Sequence, residues 1–324
     1  MTSKLALALA AGFFFSTLAV GALADEPTVA EQVVAALNKV WGVHPGARAN
    51  HAKGVVLEGV FAPSPAGKTL SKAALFTAAS VPVTVRFSDS GGAPNIPDGA
   101  APANPHGMAV KFHLASGDDV DIVANSLPFF PVATGEGFRD LLLAIAASPP
   151  GSPKPTQVEK FLAAHPAAIA ALGAVHTPSS FAREAYNGVD SFVFVDAKGA
   201  KTTFRFRIYP EAGTDYLSPA DAAKLAPNGL VDEIAKRVGA QQVKFTLQAQ
   251  LAGPGDAVND ATKPYPAERK FVDLGTITLQ KKVVEDKSLL FLPLNLVEGI
   301  EPSADPLIQV RNDAYAISYG KRLQ

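Results

Sequence analysis

Apolar positions change their period along this chain, and the changes divide it. Residues 27–40, PTVAEQVVAALNKV, repeat apolar side chains at helical spacing behind Pro27 and predict an amphipathic helix. The next segments are short, β-rich and partly alternating: VVLEGVF (55–61), VPVTVRFSD (81–89), HGMAVKFHL (106–114) and DVDIVANS (119–126). Gly- and Pro-rich breaks separate them. Helical spacing returns at 137–147 and 155–173. Strand signals reappear at SFVFVD (191–196) and TTFRFRIYP (202–210), joined by AKGA as a hairpin connection. A helical stretch at 218–239 starts with Ser218 as N-cap and Pro219 at the first helical position, and is interrupted by Ala-Pro-Asn-Gly at 226–229. VKFTLQAQL (243–251) and VDLGTITLQ (272–280) complete the strands, and about 304–318 is helical. Eight strands in two sets of four, separated by helices, predict an α+β chain. Eight antiparallel strands can close into a barrel that leaves no exposed edge. No internal repeat or low-complexity linker divides residues 27–324, so they are expected to form one domain.

The first residues follow another pattern. Lys4 precedes an apolar run from Leu5 to about Val20, and Ala22-Leu23-Ala24 places small residues in an A-x-A arrangement. This predicts a secretory signal peptide, 1–24, cleaved after Ala24, and an exported, periplasmic product of 300 residues. No later run approaches the length of a membrane span. Cleavage removes Lys4 and moves the formal charge from -1 to -2. No basic stripe suggests nucleic acid. The chain has no cysteine, although export would permit disulfides. That excludes thiol peroxidases, iron–sulfur clusters, Cys-ligated haem and covalent haem attachment through C-x-x-C-H. H-E-x-x-H, P-loop and G-x-S-x-G motifs are also absent.

Several residues nevertheless invite chemistry. In RANHAKG (48–54), His51 follows Arg48 by three positions and precedes a strand. His44 and His176 fall in loops, His106 opens a strand, and His113 and His165 lie within elements without polar company. In VRFSDSGG (85–92), Arg86 and Ser88 share one face of a strand because side chains alternate. If that face is inward, Arg86 needs an anion, since a buried unpaired charge is costly. Asn125 ends a strand just before Phe129, Phe130 and Phe138, where an amide could orient a small polar ligand against apolar walls. In QVRNDAYAISYGKR (309–322), Arg311, Tyr315 and Arg322 recur at near-helical spacing and can address one object. Singly, each has an ordinary explanation as core or solvated surface. Together, a His–Asn pair, several arginines wanting anions, aromatic walls and a cation-flanked tyrosine suit a planar, metal-bearing dianion such as haem. A phenol titrates near ~10, and a neighbouring guanidinium favours the phenolate.

These segments resemble the haem catalase superfamily, and most closely its short, exported, catalase-related peroxidases. The resemblance runs from about 43 to 324. It rests on R-x-x-H-A-K-G at Arg48–Gly54, V-R-F-S with Arg86 and Ser88, DIVAN ending at Asn125, DATKPYP (260–266) and GIEPSADPLIQVRNDAY (299–315). It implies a catalase-like eight-stranded antiparallel β-barrel with surrounding helices, binding haem b. His51 and Asn125 are then the distal pair with Ser88 behind the histidine, and Phe130 and Phe138 flank the haem. Tyr315 is the iron ligand, as is known for catalases. Arg311 activates Tyr315, and Arg48, Arg86 and Arg322 meet the propionates. The implied activity is peroxide reduction at the expense of an electron donor. Asn50 stands before the histidine where typical catalases carry valine, which points toward peroxidase rather than dismutase action. Little chain follows Arg322, so the large catalases' tetramer and nicotinamide site are not carried over, and a monomer or small homo-oligomer is expected. Two other readings accompany this one: a fatty-acid hydroperoxide isomerase or lyase, which shares the Tyr and His–Asn set, and an exported haem-binding protein without turnover.

Overall fold

A computed structural model describes residues 26–324. The segment read as a signal peptide, 1–24, lies outside the described residues. In chain order the elements are α1 (Val29–Trp41), β1 (Gly54–Pro63), α2 (Pro65–Leu70), α3 (Ala74–Thr77), β2 (Val81–Ser88), β3 (Gly107–His113), β4 (Asp119–Asn125), α4 (Gly135–Ala146), α5 (Gln157–Ala164) and α6 (Pro166–Gly173). There follow β5 (Tyr186–Asn187), β6 (Phe192–Val195), β7 (Lys201–Pro210), α7 (Pro219–Ala222), α8 (Gly229–Ala240), β8 (Val243–Leu251), β9 (Phe271–Val283), β10 (Ile300–Pro302) and α9 (Pro306–Arg322).

Antiparallel pairing runs β7–β5–β4–β3–β2–β1–β9–β8 and returns to β7, closing an eight-stranded barrel. One stave is split in a way the sequence pattern did not anticipate. Ile208 pairs with Leu247 on one side and Tyr186 of β5 on the other, while Phe204 pairs with Leu251 and with Phe192 of β6. Two-residue β5 and four-residue β6 therefore share one edge of β7, and only β5 reaches β4, through Asn125 and Asn187. Periodicity finds β6 but not β5 or β10, which are too short to show a period. It also misses α2 and α3. The helix expected over 155–173 is two, because Pro166 cannot donate a hydrogen bond and the chain breaks at His165.

Alternation along β2, β3 and β4 decides what faces where. Val83, Val85 and Phe87, Met108, Val110 and Phe112, and Val120, Ile122 and Ala124 fill the barrel. Phe61 meets Phe112 edge-to-face at 5.2 Å, and Phe87 stacks on Phe181 at 5.5 Å. Each such fully buried side chain contributes about 1.5–3 kcal/mol. The intervening residues face outward onto the helices. The register aligns Ser88, Gly107 and Asn125 in one row across the wall, and Arg86, Ala109 and Val123 in the next. In the third row Lys111 and Asp121 form a 2.7 Å ion pair. Asp121 also accepts from Leu292 N at 2.9 Å, which binds the crossing segment before β10 to the wall.

Helices α1, α4 and α9 pack together against this outer face. α1 opens with a capping box in which Thr28 accepts from Glu31 N and Glu31 accepts from Thr28 N. α9 opens on Asp305, which accepts from Leu307 N, with Pro306 next. A side-chain carbon on Gly135 would lie 2.5 Å from Val310 and 2.9 Å from Val29, so the three helices meet where α4 has no side chain. Among the described residues, no helix is long and apolar enough to cross a membrane.

Candidate active site

Between the outer wall of β2–β3–β4 and the α1, α4 and α9 helices lies a cavity of about 1170 Å³, including its open mouth. The wall contributes Arg86 and Ser88 from β2 and Asn125 from β4. The segment before β1 contributes Arg48, Asn50 and His51. Phe130 and Phe138 come from the approach to α4 and from α4 itself. α9 contributes a seam at three- and four-residue steps that includes Leu307, Arg311, Tyr315, Tyr319 and Arg322. Every residue that the sequence singled out as catalytic, cofactor-binding or metal-ligating therefore lines this one space.

His51 enters on a strained turn. Its φ is 55°, the left-handed region that side chains with a Cβ rarely adopt. Its N–H donates to Ser90 O at 2.9 Å, and Ala52 N to Gly91 O at 2.9 Å. The ring Nδ1 lies 3.1 Å from Ser88 Oγ. A Cβ on Gly107 would come within 3.1 Å of the ring, so that glycine clears the space it occupies. Burial, and after it the Arg86 charge, pushes the His51 pKa down to about 3. The imidazole is thus neutral near pH 7 and free to take a proton. Asn125 Oδ1 accepts from Leu127 N at 2.9 Å, which leaves its NH2 group to donate into the cavity.

The cations have partners no local pattern announced. Arg311 is paired with Asp190. Burial disfavours its charge, but Asp190 and the Tyr315 phenol outweigh that and raise its pKa. Arg86, 4 % exposed, directs Nε at both oxygens of Glu285 at 3.0 Å, and its terminal nitrogens at the carbonyls of His51 (3.0 Å) and Ala52 (3.2 Å). Its pKa falls to about 10 through burial and the Arg48 charge, against the pull of Glu285, so it remains charged at pH 7. Three of its five N–H groups are thereby held by protein, and the side chain still lines the cavity. Arg48 also meets Glu285. Arg48 and Arg322 each donate to Leu289 O at 2.9 Å. Ser318 Oγ accepts from Ala49 N at 3.0 Å and ties the His51 segment to α9. Glu285, Asp190 and Ser318 escaped sequence reading. The available signal was only the general demand of a buried guanidinium for an anion.

The structure corrects one reading of the histidines. His113 has polar company, with Nδ1 2.8 Å from Asp119 Oδ1 and Nε2 2.9 Å from Thr84 Oγ1, and so has His165, at the break between α5 and α6, with Nδ1 2.7 Å from Phe161 O.

A second polar cluster begins one residue beyond Ser88 and one before Gly107. Fully buried His106 lies 3.7 Å from Asp89 and 3.9 Å from Glu184. Burial pushes His106 down to about 3 and Glu184 up to about 7, the latter against hydrogen bonds from Tyr216 OH (2.8 Å) and Ala185 N (2.9 Å). A carboxyl whose pKa is raised by folding stabilises the fold fully below its unfolded value. That contribution is lost as pH rises through the folded value, here between about 4.5 and 7. Glu184→Gln is therefore expected to gain stability relative to the parent between pH 4.5 and 8, by up to ~3 kcal/mol, in paired urea-unfolding curves.

Fold and site together define an antiparallel barrel protein that carries, on its outer wall, a helix-covered cavity with a neutral histidine, an amide and a tyrosine set among arginines. The model of the catalase family matches residues 44–324, and the chain belongs to that family, which is haem-dependent. It is 33% identical over 326 aligned residues to the catalase-related peroxidase of Synechococcus elongatus, covering 98% of this chain and 96% of that one. It is 34% identical over 296 residues to the catalase-related peroxidase of Mycolicibacterium paratuberculosis, covering 89% and 93%. Among solved structures, a fungal catalase superposes with a TM-score of 0.77 at 22% identity, over 86% of this chain and 59% of that one. Catalase A from Saccharomyces cerevisiae gives 0.76 at 21%, over 86% and 61%. These structural likenesses speak to the fold.

Proposed function

We propose that the chain is a haem b peroxidase of the catalase superfamily that reduces hydrogen peroxide or organic hydroperoxides, with weak or no dismutation. The observation that carries the reading is the convergence of His51, Asn125, Tyr315 and the arginines on one cavity, in a chain related over nearly its whole length to catalase-related peroxidases. The residues present fit the cofactor. Arg48, Arg86 and Arg322 gather around the single carboxylate of Glu285, so the cluster carries positive charge to spare for a ligand with two carboxylates. Val33, Leu37, Phe130, Phe138, Leu307 and Val310 give the apolar walls a porphyrin needs. Tyr315 would hold the iron, with Arg311 one helical turn before it on α9. Arg48, Arg86 and Arg322, all lining the cavity, would meet the propionates.

When bound, the haem supplies the two-electron redox chemistry. The balance is ROOH + 2 e⁻ + 2 H⁺ → ROH + H2O, with a donor providing the electrons. Neutral His51 accepts the proton from the near peroxide oxygen and returns it to the departing one, as base and then acid. The Asn125 amide donates to the peroxide and steadies charge as the O–O bond lengthens. Ser88 holds the imidazole through Nδ1 and fixes which nitrogen faces the substrate. Asn50, which precedes His51 and lines the same cavity, sets a polar group beside the imidazole, which supports peroxidase over dismutase action.

The single haem domain, 25–324, is exported after cleavage following Ala24 and works as a monomer or small homo-oligomer; amino-terminal sequencing of the secreted protein should begin at Asp25. The deciding experiment is purification with haem, then oxygen release and chromogenic-donor oxidation measured under the same peroxide. Donor oxidation is expected to dominate. Protein that retains no haem, or in which oxygen release dominates, would refute the assignment.

A further inference from the structure

The cavity's arginines are not equivalent. Arg48 and Arg322 each donate to Leu289 O, whereas Arg86 commits three of its five N–H groups to Glu285 and to backbone carbonyls. Both oxygens of Glu285 receive its Nε–H at 3.0 Å. Its terminal nitrogens reach His51 O at 3.0 Å and Ala52 O at 3.2 Å. Those carbonyls belong to the turn that carries His51 through its positive φ, so the guanidinium bonds the segment that would otherwise relax. Gly54 is shaped to this arrangement: a Cβ there would stand 2.7 Å from Arg86 Cζ and 2.8 Å from Nη2. Glu285 itself lies two residues beyond β9, whose last residue, Val283, pairs with Val56 of β1. The carboxylate is therefore anchored to the strand that follows His51.

We propose that Glu285 is a positioning residue: its carboxylate orients Arg86, and Arg86 clamps the carbonyls of His51 and Ala52 so that the imidazole is held toward the peroxide. A buried guanidinium that loses its anion must turn toward solvent or recruit another carboxylate. Either movement withdraws it from the two carbonyls. Displacements of about 1 Å at a catalytic group cost up to ~100-fold in rate.

The functional half of this inference rests on His51 carrying the peroxide proton, and the test separates the two. Glu285→Gln and Glu285→Asp are compared with the parent as full-length, haem-loaded protein. Hydrogen exchange is followed at the amides of His51 and Ala52, and peroxide consumption and donor oxidation are timed as separate steps in stopped flow. In Glu285→Gln the two amides are expected to exchange at least ~10-fold faster while those of β2 and β3 are unchanged. The peroxide step is expected to fall ~10- to 100-fold and donor oxidation to hold. Glu285→Asp should recover most of both, and Glu285→Gln added to Arg86→Leu should cost nothing further. Unchanged exchange in Glu285→Gln overturns the proposal. So does tighter haem uptake without any change at His51, which would make Glu285 a competitor for the cofactor's carboxylates. An equal fall of both kinetic steps with a lowered melting temperature makes the residue merely structural and also overturns it. Faster exchange in a parent that consumes no peroxide would support the clamp and refute the function.

Discussion

Replacing His51 by alanine is expected to lower the peroxide step by about 10³-fold, within the range for a positioned acid–base group, while haem remains bound. The imidazole contributes no charge near pH 7, because burial and Arg86 push its pKa down to about 3. Its loss therefore removes a proton carrier without upsetting the charge balance of the arginines. The donor-oxidation step should be nearly unaffected. Stopped-flow mixing with peroxide and then with donor resolves the two. Full peroxide turnover in His51→Ala would remove this residue from the mechanism. The same low pKa predicts that the parent's peroxide step keeps its base down to about pH 4, so an activity loss between pH 7 and 5 would have to come from another group.

Tyr315→Phe should have an effect at least as large, but of another kind. The variant keeps the ring that packs from α9 and loses only the oxygen. Iron-free protoporphyrin should then bind within a few-fold of the parent, since the arginines and apolar walls are intact. The grip on iron, the ferric absorption spectrum and peroxidase turnover should all be lost, by more than the ~10- to 100-fold typical of removing an outer-shell partner of a metal ligand. Arg311→Leu should fall in that lower range, because Arg311 acts on Tyr315 through charge rather than contact with iron. If Tyr315→Phe retained the parent's haem spectrum, the iron would have to be held from elsewhere.

Much of this was readable in the chain before folding. Alternating residues along 81–89, 106–114 and 119–126 locate strands and place Arg86 and Ser88 on one face of theirs, while which way that face looks came only with the fold. Helical spacing places Arg311, Tyr315 and Arg322 on one side of α9. Both inferences use only periods of 2.0 and 3.6 residues, which local backbone geometry imposes. Lys111 and Asp121 interrupt the apolar runs of β3 and β4, and their alternation is intact once they are seen to face outward.

What escaped was either too short or too distant. Two-residue β5 has no period to detect, and it completes the barrel only because β7 offers one edge to two short strands. Asp190 and Glu285 lie 121 and 199 residues from the arginines they neutralise. His113 gains its partners across neighbouring strands.

The amino-acid sequence by itself determined which side chains share a face, because that follows from the repeat of a single helix or strand. Which faces look at each other, and which carboxylates answer Arg86 and Arg311, was decided only by the tertiary structure. Burial makes an unpaired charge intolerable, but it does not say where along the chain the counter-charge is found.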